Sequence, residues 1–324
     1  MFLSIFAVGL LSISSFFSFQ QDSKDLSREE KCLKYTKIVE ESDYTKYDTV
    51  YFDYENGPTF LDTELDNITE NEYKNRPDFS YHNEIKRENS TRDSSGLYPD
   101  SIRYLVSQSD CSTWPYVAVC RIKSKYIDGN GVAWYGDATG ALVGPNVFLT
   151  ASHCVYDDVL GWPVEFNVYP AYYYGENLSI GHASMVAAYV GVVFNTHLAN
   201  DDWAIVRLDW NIGNVTGYFS VVNESLSINQ MARNIAHQSD LGRLTDAEGP
   251  IVYVDTYIFY HRISAVTWAS GSPIFKQNTL NVCGIHSAGI HENGIDVNTA
   301  CRVSSYIESW VAETLLIGQL TIKK

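Results

Sequence analysis

Ala141-Leu142-Val143-Gly144-Pro145-Asn146-Val147-Phe148-Leu149-Thr150-Ala151-Ser152-His153-Cys154 says more about the fold than any other stretch of the chain. Two short apolar runs flank a Gly-Pro-Asn turn, which reads as a β-hairpin, and a histidine follows the second run. Two further stretches complete a pattern. Asp202-Trp203-Ala204-Ile205-Val206 puts an acid ahead of an apolar strand, and Ser270-Gly271-Ser272-Pro273-Ile274-Phe275 puts a serine on a glycine turn. The chain order histidine, aspartate, serine matters because unrelated folds carry the same three groups in different orders.

Working outward, short apolar runs alternate with turn residues from about Leu97 onward: 117–122, 166–169, 185–194, 204–208, 251–260 and 281–286. Many short strands separated by turns predict an antiparallel sandwich or barrel. One helix is expected at the end, over 305–317, with Ser305 and Glu308 spaced as a capping box and Gly318 as its stop. Ile307, Trp310, Val311, Thr314 and Leu315 recur at helical spacing, so one face should pack onto the barrel.

The 324 residues are 45% hydrophobic, which excludes global disorder, and 23 tyrosines against 3 methionines favour strands. A net charge of -16 argues against nucleic acid or an anionic membrane as partner. Residues 1–19 are apolar and precede Gln20-Gln21-Asp22, which reads as a cleaved secretory signal, leaving no stable membrane insertion. Residues 20–96 are acidic and poor in apolar periodicity. They end in Ser90-Thr91-Arg92-Asp93-Ser94-Ser95-Gly96, a cleavable composition, and read as a pro-segment or spacer. The 6 cysteines suit an oxidising compartment, and Asn-x-Ser/Thr sequons begin at Asn67, Asn89, Asn177, Asn214 and Asn223. Neither CxxC nor HExxH spacing occurs, so no metal and no cofactor is expected.

The three stretches suit nucleophilic acyl transfer. A serine needs a base to take its proton, the base needs a fixed tautomer, and a carboxylate supplies it. Ser270, His153 and Asp202 are the candidates. In a strand Asp202, Ala204 and Val206 share a face opposite Asp201 and Trp203, and an acid–x–Ala step into an apolar strand selects Asp202 over Asp201. Ser272 competes with Ser270, but it precedes Pro273 at the start of the next strand.

With these motifs in view, residues 97–317 resemble the glutamyl endopeptidase branch of the chymotrypsin-like serine proteases. Leu142-Val143-Gly144-Pro145 through Thr150-Ala151-Ser152-His153-Cys154-Val155-Tyr156-Asp157 resembles the family's histidine motif. Ser270-Gly271-Ser272-Pro273 resembles the branch's serine motif, and Phe166-Asn167-Val168-Tyr169-Pro170-Ala171, Gly284-Ile285-His286 and Asn298-Thr299-Ala300-Cys301-Arg302-Val303 continue the likeness. The resemblance implies an all-β fold: two antiparallel Greek-key β-barrels with a C-terminal helix, barrel 1 over about 97–215 and barrel 2 over about 216–304. It implies a secreted serine endopeptidase that acts on protein or peptide substrates as a monomer. The N–H groups of Trp268 and Ser270 would form the oxyanion hole. His286, which matches the branch's histidine that binds a substrate carboxylate, and Ser264 would line a pocket preferring acidic P1 residues, and Ser287 and Gly289 would lie on the strand that pairs with substrate. Leu97-Tyr98-Pro99-Asp100-Ser101-Ile102-Arg103 resembles a mature start, so cleavage near Gly96 would complete the pocket.

The chain departs from the family at several positions. Trp268 stands where the family has the oxyanion-hole glycine, Ala269 where it has a polar residue, and Ala265 where it has a hydroxyl. These departures leave open a catalytically impaired homologue that binds a protein partner through the same cleft. The histidine-loop cysteine Cys154 lacks its usual partner, since Ala138 occupies that place. A Cys283–Cys301 bridge is expected, with Cys111–Cys120 and Cys32–Cys154 as the remaining pairs.

Overall fold

The computed structural model describes residues 26–41, 49–61, 96–99, 101–191, 202–292 and 295–321. The expected signal at 1–19, the stretch 90–95, Asp201 and the sequons at Asn67 and Asn89 lie outside the described residues. In chain order come helix α1 (Arg28–Glu41), strands β1 (Thr49–Asp53), β2 (Gly57–Leu61) and β3 (Ile102–Leu105), and the short helix α2 (Gln108–Cys111). Then follow β4 (Val119–Ile127), β5 (Ala133–Leu142), β6 (Val147–Thr150), β7 (Glu165–Tyr169), β8 (Ala183–Gly191), β9 (Ala204–Leu208) and helix α3 (Gly213–Thr216). The second half holds β10 (Ser220–Val221), β11 (Met231–Gln238), β12 (Arg243–Val254), β13 (Ile258–His261), β14 (Pro273–Lys276), β15 (Asn281–Glu292), β16 (Ile295–Arg302) and helix α4 (Ser305–Thr321).

Two antiparallel barrels of six strands result. The first runs β8-β7-β4-β5-β6-β9 and closes through β8–β9; the second runs β15-β14-β11-β12-β13-β16 and closes through β15–β16. Closure removes the open strand edges that would otherwise expose unpaired backbone. The hairpin expected over 141–149 is β5–β6, with Ala141 opposite Leu149. Barrel 1 carries a large aromatic and aliphatic core around Phe148, Leu149, Phe166 and Val206, whereas barrel 2 packs smaller residues, Ala232, Ala247 and Ala300, around Ile251, Phe259 and Ile274. Helix α4 follows the last strand of barrel 2 but packs back onto barrel 1, where Trp310 meets Tyr189 at 4.5 Å between ring centroids.

Several expectations are revised. Residues 102–105, expected in barrel 1, form β3, which pairs with β12 of barrel 2. Helix α4 begins with Ser304 as its cap, whose Oγ accepts from Ile307 N, while Glu308 Oε1 accepts from Asn223 N instead of closing a box with Ser305. The helix also continues past Gly318. None of the six cysteines, all buried, is bridged. The register explains the Cys283–Cys301 case. Ile285 faces Cys301, so Cys283 sits diagonally across from it. Diagonal neighbours lie about 7–8 Å apart, with their Cβ atoms somewhat closer but still beyond the roughly 4 Å a disulfide needs.

The N-terminal segment holds the largest surprise. Part of the stretch read as pro-segment or spacer is built into barrel 1. Strand β1 pairs with Ala187 to Gly191 of β8, beyond the two residues of β8 that β7 engages. Phe52 is fully buried and stacks on Trp162 at 4.0 Å, and Cys32, Tyr35 and Val39 of α1 join the same core. Helix α1 comes so close that a Cβ on Gly161, at φ +75°, would overlap Thr36. Replacing Phe52 by Ala should therefore cost about 3–5 kcal/mol of stability, measured by urea unfolding. A segment that merely tethers would show no such loss.

Candidate active site

The strand register alone brings the histidine and the acid together. β6 and β9 are antiparallel with Thr150 opposite Ala204. Chain leaving β6 and chain entering β9 therefore lie side by side, which puts the short 3-10 turn Ser152–Cys154 next to Asp202. His153 Nδ1 lies 2.9 Å from Asp202 Oδ2 and 3.0 Å from Oδ1, and His153 N donates to Oδ1 at 3.2 Å. Ser152 Oγ donates to Oδ1 at 2.8 Å, and Ser287 Oγ donates to Oδ2 through a short bond. The carboxylate is buried, while the imidazole is 47% exposed.

This environment sets both protonation states. Burial opposes a charge on Asp202, but the His153 charge and the bonds from His153, Ser287 and Ser152 outweigh it and hold the carboxyl well below the usual range. Partial removal of the His153 ring from water likewise disfavours an imidazolium, and again the Asp202 carboxylate outweighs it, raising the histidine well above its ordinary value. A neutral His153 with Asp202 as acceptor carries its proton on Nδ1, leaving Nε2 as a proton acceptor.

Ser270 sits on the tight loop between β13 and β14. Gly271 follows at φ +80°, and a Cβ there would overlap Thr150 and the Thr139 carbonyl, so only glycine fits. The Ser270 hydroxyl donates to Ser287 O at 3.3 Å; among the described residues no hydrogen bond joins it to His153. Ser287 thus touches Ser270 through its carbonyl and Asp202 through its hydroxyl. The competing Ser272 is fully buried and accepts from Asn234 Nδ2 at 2.8 Å.

Trp268 adopts φ +79°, the left-handed region in which a side chain costs about 1–2 kcal/mol. The N–H groups of Trp268 and Ser270 have no acceptor among the described residues. The expected pocket residues divide. His286 is buried, and its Nδ1 lies 3.4 Å from His261 Nε2, while His261 Nδ1 accepts from Ile263 N at 3.2 Å. That chain of bonds dictates tautomers: His261 carries its proton on Nε2 and gives it to His286 Nδ1, so the remaining donor of His286 is Nε2–H. Burial, and then the charge of nearby His153, pull His286 down to about 4, so it is neutral at pH 7. Ser264 is instead committed to the 96–101 segment: its Oγ accepts from Tyr98 N and its N donates to Ser101 Oγ, while Ala265 N donates to Gly96 O. Gly289 is exposed on β15, past the last residue of that strand that pairs with β14. The sequence reading missed Ser152 and His261. Adjacency to His153 was a signal for Ser152; nothing local marks His261.

A double barrel whose first barrel carries an imidazole–carboxylate pair and whose second carries a turn serine is that of a chymotrypsin-like serine endopeptidase. The family model described as Trypsin matches residues 106–311, and the chain belongs to that family. Glutamyl endopeptidase of Bacillus licheniformis is 25% identical over 224 residues, covering 66% of this chain and 68% of that protein. An extracellular metalloprotease of Bacillus subtilis is 26% identical over 209 residues, 61% of this chain and 63% of that protein. A solved structure of Glu endopeptidase in complex with MPD superposes with a TM-score of 0.56 at 25% identity, covering 68% of this chain and 99% of that one. Among the described residues no helix is long and apolar enough to cross a membrane, and no group of three or more His, Cys, Asp or Glu stands together as a metal-binding cluster.

Proposed function

We propose that this protein is a secreted endopeptidase in which Ser270 attacks the peptide carbonyl, His153 moves the proton and Asp202 orients His153. The observation that carries the reading is the Asp202 carboxylate, which is buried beneath His153, bonded to both its Nδ1 and its backbone N–H, and linked through Ser287 to Ser270. For the attack, the Ser270 hydroxyl leaves Ser287 O and turns to His153 Nε2, a side-chain rotation of the ps–ns kind. The carbonyl oxygen of the tetrahedral intermediate accepts from Trp268 N–H and Ser270 N–H. His153 then returns the proton to the leaving amine, and water hydrolyses the acyl-enzyme. A fluorophosphonate probe, which needs an activated serine, should label the wild-type protein at Ser270. Absence of labelling would favour the alternative of an impaired homologue that binds a protein partner in the cleft. The unengaged N–H of Trp268 supports the active reading.

The pocket reading is acidic P1. A neutral His286 with Nε2–H as its remaining donor suits a carboxylate, and a bound carboxylate would in turn favour protonation of the ring. Peptides differing only in Glu or Phe at P1 should show kcat/KM about 10²-fold higher for Glu. His286→Ala should reduce that ratio to about 3-fold or less. Equal rates for the two peptides in the wild type would remove the acidic pocket. Cleavage near Gly96 would leave residues 26–41 and 49–61 held by β1–β8 and the Phe52–Trp162 stack, so the processed protein would contain two chain segments. Intact mass under native and denaturing conditions distinguishes retention from loss.

A further inference from the structure

We propose that Arg121 and Thr139 are positioning residues for catalysis, holding Trp268 in the left-handed conformation that keeps its N–H aimed at the substrate carbonyl. The inference rests on the triad reading above. A bulky residue at φ +79° persists only where its surroundings over-determine it. Without that support, the Thr267–Trp268 peptide relaxes by turning over, and its N–H leaves the oxyanion site.

Contacts from three residues, Ser239, Thr139 and Arg121, fix the loop. Ser239 N donates to Thr267 O at 2.9 Å, which anchors the carbonyl of the very peptide whose N–H is the proposed donor. In a trans peptide that N–H points the opposite way. Thr139 Oγ1 donates to Trp268 O at 2.7 Å, and Thr139 N donates to Ser270 O at 3.0 Å, so one residue of barrel 1 holds two carbonyls of the loop. The contact from the third residue is on the ring. Arg121 Cζ lies 3.8 Å from the Trp268 ring centroid, a cation–π contact.

The sheet register builds this clamp. Arg121 on β4 is directly opposite Thr139 on β5, so both side chains leave the ribbon on the same face. Asp137, two residues before Thr139, shares that face and fixes the guanidinium: Arg121 Nη2 lies 2.9 Å and Nε 3.1 Å from Asp137 Oδ1. Arg121 is almost fully buried, so the contact with the indole is little screened. A glycine at position 268 would need no such clamp and would offer Arg121 no ring. The large residue at the tight turn and the buried cation thus form one device, in which barrel 1 sets an oxyanion donor that barrel 2 carries.

The test is a double-mutant cycle on one peptide substrate, with affinity for a peptide aldehyde, which forms an oxyanion on reaction with serine, as second readout. Arg121→Ala should lower kcat about 10²-fold with KM within about 3-fold, and weaken the aldehyde in parallel. In the Trp268→Gly background the same change should alter kcat by less than about 3-fold. Thr139→Val, nearly isosteric, should give the same kcat-specific loss even if Arg121→Ala fails to fold. An unchanged kcat in Arg121→Ala, or in Thr139→Val where Arg121→Ala does not fold, overturns the inference. So does an equal loss in both backgrounds, which marks a packing role. A wild type that labels with fluorophosphonate while the Arg121 variant is indifferent overturns this inference alone; an unlabelled wild type overturns the triad reading and this one with it.

Discussion

Ser270→Ala should lower kcat by about 10⁶-fold and abolish fluorophosphonate labelling while leaving the fold intact. The fold survives because the hydroxyl makes a single 3.3 Å bond to Ser287 O from a half-buried position, and both the Thr139 N–Ser270 O bond and the Gly271 turn are independent of it. The loss is large because the oxygen is the attacking atom. The oxyanion donors and binding contacts remain, so a residual acceleration of about 10³–10⁴-fold over water should persist. Ser272→Ala is the instructive comparison. That hydroxyl is buried and accepts from Asn234 Nδ2, so its removal should cost about 1–3 kcal/mol of stability and leave labelling in place. Labelling that survives Ser270→Ala and vanishes in Ser272→Ala would move the nucleophile to the second serine.

Asp202→Asn should lower kcat by about 10⁴-fold with little change in structure. The carboxylate accepts from His153 Nδ1, His153 N, Ser152 Oγ and Ser287 Oγ. An amide of the same shape must turn one NH₂ toward these donors. Facing His153 Nδ1, it donates and forces the ring proton onto Nε2, the nitrogen that should accept from Ser270. The pH profile provides a second readout. In the wild type His153 is the group that titrates, since Asp202 stays ionised far into the acid range. His153 must be neutral to act as base, and its value is raised, so kcat/KM should fall as pH drops through a midpoint above the ordinary histidine value of 6.5. Without the carboxylate the raising charge is gone, and the acidic limb should move to lower pH. A limb that stays in place in Asp202→Asn would separate Asp202 from His153.

Much of the architecture was legible because its signals are local. The hairpin at β5–β6, the strand after Asp202 and the turn at Ser270 each announce themselves within a few residues through apolar alternation and Gly or Pro at turns. How the N-terminal segment packs was not legible, for a local reason too. Its acidic composition hides a few anchors, Tyr35, Val50 and Phe52, whose burial depends on a distant strand edge and on Trp162. The cysteine pairing failed on register. Strand neighbours are easy to foresee, but whether Cys301 faces Cys283 or Ile285 is a matter of two residues' offset.

The site divides the same way. Candidate roles for His153, Asp202 and Ser270 came from residue type, flanks and order, all properties of the chain as written. Arg121, Thr139 and His261 carry no such mark, because what they do depends on which side chain lies opposite after each barrel closes and the two are juxtaposed. The sequence alone determined several of the strands, the turns that carry the candidate site and the family resemblance, since propensity and periodicity act over neighbouring residues. Only the tertiary structure decided that a tryptophan could occupy a glycine's place, because the cation and hydroxyl that hold it come from the other barrel, more than a hundred residues away along the chain.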